Sequence, residues 1–90
     1  MTDNKSQRIK QIETDIKNLS KIKDVKFNYL IKIVEKYFGT YHIKGSHYIF
    51  KVPWRGDPRI TIQRQKKDKK MAKPYQVKQV IEALEKLKEK

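Results

Sequence analysis

The sequence predicts an α+β domain: three antiparallel strands with helices covering one face of the sheet. Three observations lead there. Apolar residues recur at helical spacing over 8–22, 27–38 and 74–87, the period falls to two between Thr40 and Gln63, and Gly, Pro and a basic loop mark the changes. Ninety residues with an apolar fraction of 37% bury one modest core, so 1–90 reads as a single domain. A helix and linker occupy 1–24, and the remaining elements occupy 25–88.

In RIKQIETDIKNLSKI, residues 8–22, Ile9, Ile12, Ile16 and Leu19 share one thin stripe, and a helix so narrow in its apolar face leans on a neighbour. A break follows from Ser20 to Lys26. VKFNYLIKIVEKYFG then places Phe27, Leu30, Ile31, Val34 and Phe38 in the spacing of a well-buried helix. Gly39 stops it as a left-handed residue would. Lys26 offers no acceptor to the first free amides, and Asp24 is the nearest residue that does.

Tyr41–Lys44 and His47–Val52 flank Gly45-Ser46, a two-residue loop suited to a type II′ turn with Gly first. The loop sets Lys44 opposite His47, Ile43 opposite Tyr48, His42 opposite Ile49 and Tyr41 opposite Phe50. Tyr41, Ile43, Tyr48, Phe50 and Val52 form the face expected to meet helices. His42, Lys44, His47, Ile49 and Lys51 form the open face. PWRGDP, Pro53 to Pro58, is a turn by its Pro and Gly content. RITIQ makes a third strand, with Ile60 and Ile62 inward and Arg59, Thr61 and Gln63 outward. RQKKDKKMAK is a basic loop, and Pro74 opens the last helix, whose stripe is Val77, Val80, Ile81, Leu84 and Leu87.

Charge bounds the partners. The chain carries 23 Lys and Arg against 10 Asp and Glu, a net +13, and residues 40–73 alone contribute +8 (10 basic, 2 acidic). That stripe attracts polyanions, although a Lys-rich surface also serves solubility alone. Cys is absent, so disulfides and thiolate metal sites are excluded. MTDNKSQRIK has no apolar h-region and no run approaches membrane-spanning length, so a cytoplasmic protein without membrane contact is expected. The sequence has no CxxC, HExxH, Gly-rich phosphate loop or closely spaced carboxylate pair, and no metal or cofactor is expected.

His47 then has three readings. It is a strand-edge residue with a local hydrogen bond, a phosphate or base contact, or a proton-transfer group. Lys44 lies directly across the ladder, roughly 5 Å away, and a neutral imidazole among cations is a competent general base. It would take the proton of an RNA 2′-hydroxyl while Lys and Arg stabilise the phosphate under attack, leaving a 2′,3′-cyclic phosphate and a 5′-hydroxyl. Ser46 either completes the turn or donates to a phosphate oxygen. Trp54 caps the hairpin or stacks on a base. Lys66, Lys67, Lys69 and Lys70 clamp a backbone or only solvate the loop. Tyr75 reads as a packing residue.

YHIKGSHYIFKVP, then RITI, a basic loop and KPYQVKQVIEAL closely resemble the HicA toxins of bacterial toxin–antitoxin pairs, from about Val25 to Leu87. The resemblance implies a fold like the double-stranded RNA-binding domain, with an α-β-β-β-α core and here an extra N-terminal helix. It implies a metal-independent ribonuclease that cleaves mRNA and stops translation, neutralised by a HicB-like antitoxin. The family's essential histidine maps onto His47 and its Gly-Ser onto Gly45 and Ser46. The cations expected on RNA are Lys44, Lys51, Arg59, Lys66 and Lys67, and the sequence does not give the oligomeric state of the free chain. Many relatives have a proline and then a histidine after the third strand, where this chain has Gln63 and Gln65. No second imidazole stands there, which leaves water or Lys66 as general acid. The rival reading is an RNA-binding domain with a basic sheet face and no catalysis; a third is an interaction domain for an acidic protein.

Overall fold

A computed structural model describes residues 4–55 and 59–89. Six elements follow in order: α1 (Asn4–Lys21), α2 (Phe27–Phe38), β1 (Tyr41–Lys44), β2 (His47–Phe50), β3 (Ile60–Ile62) and α3 (Pro74–Lys88). The strands form one antiparallel sheet in the order β1-β2-β3. The architecture is the expected α+β arrangement. Of the turn expected over Pro53 to Pro58, residues 56–58 lie outside the described part.

The hairpin pairs as the Gly45-Ser46 loop dictates, with Lys44 opposite His47 and Tyr41 opposite Phe50. Gly45 has φ +62 while Ser46 has no positive φ, the sign pattern of a type II′ turn. A Cβ at Gly45 would meet no atom within 4 Å, so the demand for glycine is conformational rather than steric. Side chains alternate across the strands. The inner rows are Tyr41–Phe50–Ile60 and Ile43–Tyr48–Ile62. Phe50 and Ile62 are fully buried beneath Phe27, Leu30 and Val34 of α2 and Val80 and Leu84 of α3. Tyr48 meets the Phe27 ring edge-on at 4.9 Å.

Three local expectations are corrected. Ile43 was assigned to the packed face, yet it is 56% exposed. It lies on the edge strand beside the turn, whereas α2 and α3 lie over β2 and β3. Asp24 does not cap α2; among the described residues no side chain does. Instead the Phe27 N–H donates to the Lys70 carbonyl at 2.8 Å, and the Ala72 N–H donates to the Val25 carbonyl at 2.9 Å. A short strand-like pairing thus satisfies the orphan amide that a poor N-cap leaves. Gly39 has the positive φ of 86°, but its ψ of −157° lies outside the left-handed helical well. Its N–H still closes α2 on the Glu35 carbonyl at 3.0 Å.

A second bridge, between Arg64 and Ala72, orders the basic loop. The Gln65 N–H donates to the Met71 carbonyl at 2.9 Å, and Asp68 Oδ1 accepts from the Lys70 N–H at 3.0 Å. Arg64 donates to the Lys69 carbonyl at 2.9 Å and lies 4.1 Å over the Phe27 ring. The loop's backbone is therefore folded, while Lys66, Lys67, Lys69 and Lys70 stay exposed.

α1 packs along α3 and buries Ile12 and Leu19. Asp15 lies on that stripe too and is buried with them. Its Oδ2 accepts from the Tyr37 hydroxyl at 2.6 Å and pairs with Lys36 Nζ at 2.7 Å, fastening α1 to the end of α2. Burial first, then the hydrogen bond and charge of Asp15, hold the Tyr37 phenol well above the ordinary tyrosine range; Arg8 opposes them weakly. A raised folded-state value gives stability that is intact below the unfolded value and is lost as pH climbs toward the folded one. Urea midpoints are therefore expected to fall above about pH 10 more steeply for the parent than for Tyr37→Phe. Parallel curves would exclude this contribution.

Candidate functional site

His47 opens β2 immediately after the turn, with its side chain exposed. Lys44 is its cross-strand partner on β1. The β2–β3 pairing sets Tyr48 opposite Ile62 and Ile49 opposite Thr61, and one further step of that register brings Gln63 opposite His47. The open face thus carries a row Lys44–His47–Gln63 above a row His42–Ile49–Thr61. Ile49 is half-buried between its polar neighbours. Among the described residues, nothing hydrogen-bonds the His47 ring. The reading of His47 as a locally hydrogen-bonded strand residue has no support in this arrangement.

His47 lines a groove of about 540 Å³ that runs from the open sheet face around the β3 edge to α3. Arg59, Thr61 and Gln63 form its sheet wall, Tyr75, Gln79 and Glu82 its helical wall, and Trp54 and Lys86 its far end. Trp54 is held by an edge-on contact with Phe38 at 5.8 Å, with Lys86 Nζ 4.8 Å above its ring. The role of hairpin cap suits it better than that of an open stacking surface, since it is half-buried.

Gln63 fixes this end of the groove. Its backbone N–H donates to Gln76 Oε1 at 2.6 Å, its Nε2 donates to Ser46 Oγ at 3.3 Å, and its Oε1 accepts from Lys73 Nζ at 3.1 Å. Ser46 therefore completes the turn and also ties it to β3. Gln76, 4% exposed, is a buried polar residue satisfied by that contact, and no apolar stripe predicted it. Its spacing from Val80 by one helical turn was the available signal.

The structure gathers some of the expected residues and separates others. His47 and Arg59 share the groove. Lys44, Gly45 and Ser46 are not among its lining residues; Lys44 is the cross-strand neighbour of His47, and Ser46 accepts from Gln63 at its edge. Lys51 lines a different hollow with Arg8, Tyr37 and Phe38. Lys66 and Lys67 stand on the separate basic turn, and the cation held beside the His47 row is Lys73. Tyr75, expected to pack, is 56% exposed. Its side chain points into the groove because α3 turns its Val77 and Val80 face to the core.

The arrangement offers an accessible imidazole, a guanidinium and several amides in one groove. Glu82 is its carboxylate, on the helical wall. Among the described residues no three His, Cys, Asp or Glu side chains converge as metal ligands. No described helix is long and apolar enough to cross a membrane. No family model, curated relative or solved structure matches the chain.

Proposed function

We propose that this chain is a HicA-type toxin, an endoribonuclease that cleaves mRNA and stops translation, with a HicB-like antitoxin as its inhibitor. The observation that carries the reading is the exposed His47 ring, without an internal hydrogen-bond partner among the described residues, at the end of a groove that also holds Arg59. The GSH turn, the third strand and the KPY-opened helix, three of the segments that carry the resemblance, meet at this end of the groove.

In the proposed reaction His47 accepts the proton of a 2′-hydroxyl, and the 2′-oxygen attacks the adjacent phosphorus. The bond from phosphorus to the 5′-oxygen breaks, and water protonates that leaving oxygen. Lys44, the cross-strand neighbour of His47, stabilises the charge that builds on the phosphate, and Arg59 holds the strand further along the groove. The products are a 2′,3′-cyclic phosphate and a 5′-hydroxyl. Lys66 is set aside as general acid, because it stands on the basic turn rather than in the groove. An antitoxin would inhibit by covering His47. Exposed Ile43 on the β1 edge supplies an apolar foothold for a sheet-extending partner.

The test compares single-stranded RNA with DNA of the same sequence. Cleavage of RNA with binding, but no cleavage, of DNA is expected. Binding of both with cleavage of neither would leave the RNA-binding reading and remove the enzyme.

A further inference from the structure

Tyr75, Gln79, Glu82 and Lys86 are spaced i, i+4, i+7 and i+11 and form one stripe of α3, all facing the groove with His47 and Arg59. Two contacts fix the direction of α3 along it. Gln76 binds the Gln63 N–H at 2.6 Å at one end, and Lys86 covers Trp54 at the other. Gln63 is the residue that faces His47, so Tyr75 stands at the His47 end. It is the only exposed Phe, Tyr or Trp among the described residues. Gln76 Nε2 lies 3.5 Å from the Tyr75 hydroxyl and 3.5 Å from Gln63 Oε1, and Gln63 reaches Ser46. A chain of polar side chains thus links the tyrosine to the turn that presents His47.

Nucleic-acid bases that leave the helical stack bind on exposed aromatic faces, and every base has such a face. A groove of about 540 Å³ lies within the ~300–1,000 Å³ range of ligand pockets. Arg59, further along the opposite wall, supplies a cation for the phosphate of a neighbouring nucleotide.

We infer that Tyr75 is a stacking platform for one unpaired nucleobase, with Arg59 on a phosphate further along the strand, so that the groove takes single-stranded RNA and discriminates against duplex. The placement of that base beside the cleaved bond rests on the nuclease reading; the stacking itself does not. A paired base would have to leave its duplex to reach the ring, which costs free energy that a single strand does not spend.

The test measures binding to a 2′-O-methyl single-stranded oligonucleotide, which cannot be cleaved through its 2′-oxygen. Its duplex and an abasic counterpart of the same length serve as controls. Tyr75→Ala is expected to weaken binding of the single strand roughly 5- to 100-fold, and Tyr75→Phe to stay within about twofold of the parent. The abasic strand is expected to bind the parent and Tyr75→Ala alike. Circular dichroism confirms that both variants are folded.

The inference is overturned if folded Tyr75→Ala binds the single strand as the parent does, or if the parent holds the duplex equally well. Equal losses in Tyr75→Phe and Tyr75→Ala would overturn it too, by assigning the effect to the hydroxyl. The two proposals fail separately. A parent that binds RNA through Tyr75 without cleaving it removes the nuclease and keeps the platform. A parent that cleaves while Tyr75→Ala binds and cleaves equally does the reverse. No RNA binding at all removes both.

Discussion

Replacing His47 by alanine is expected to lower RNA cleavage by about 10²- to 10⁴-fold, the usual contribution of a positioned general base. The side chain is exposed, so its loss leaves no cavity and folding stability should move by no more than about 0.5 kcal/mol. RNA affinity should change little, because Lys44 and Arg59, the cations proposed to meet the phosphates, are unaltered. Single-turnover cleavage beside equilibrium binding of the same RNA separates the two quantities. A variant that binds and cleaves as the parent does would place the chemistry away from this groove. One that loses binding and cleavage together would make His47 a contact residue.

Phe50→Ala is the largest expected effect on stability, at about 3–5 kcal/mol. Phe50 is fully buried on the central strand, between Tyr41 and Ile60, with the Tyr41 ring 5.1 Å away. No flexible surface side chain stands ready to fill the space, since the neighbours are helix and sheet core. Domains of this size hold about 5–15 kcal/mol in total, so the loss removes a fifth of it or more. Urea unfolding measures it directly. A loss below about 1 kcal/mol would mean that the layer over β2 is loosely packed. The consequence reaches function, because β2 carries Phe50 at one end and His47 at the other.

Much of the fold was legible because its signals are local. The Gly-Ser loop sets a hairpin register with no tertiary information, and all four facing pairs follow from it. The stripes of α2 and α3 likewise follow from spacing alone, since a run of apolar residues at helical period has one way to be buried. What was not legible depends on partners distant in sequence. Asp15 sits at helical spacing between Ile12 and Leu19, which marks it as inward, but nothing in the sequence names Tyr37 and Lys36 as its partners. The capping of α2 by residues 70–72 is hidden for the same reason. Ile43 misled because alternation assigns a face and not the extent of the helices that cover it.

The site divides along the same line. His47 was found by its place after the turn, and Arg59 by strand alternation. The helical wall was missed, because the α3 stripe was read only for its apolar side. Tyr75 and Gln79 lie on the other side, and their meaning appears only when the groove does.

Attack by a 2′-oxygen, the step proposed for His47, leaves its mark on the ends of the fragments. Purified protein is incubated with a defined single-stranded RNA in excess EDTA, and the product termini are analysed. Fragments ending in 2′,3′-cyclic phosphate and beginning with 5′-hydroxyl, formed at a rate that EDTA does not change, are the predicted result. Fragments with 3′-hydroxyl and 5′-phosphate ends, or cleavage abolished by EDTA, would contradict it.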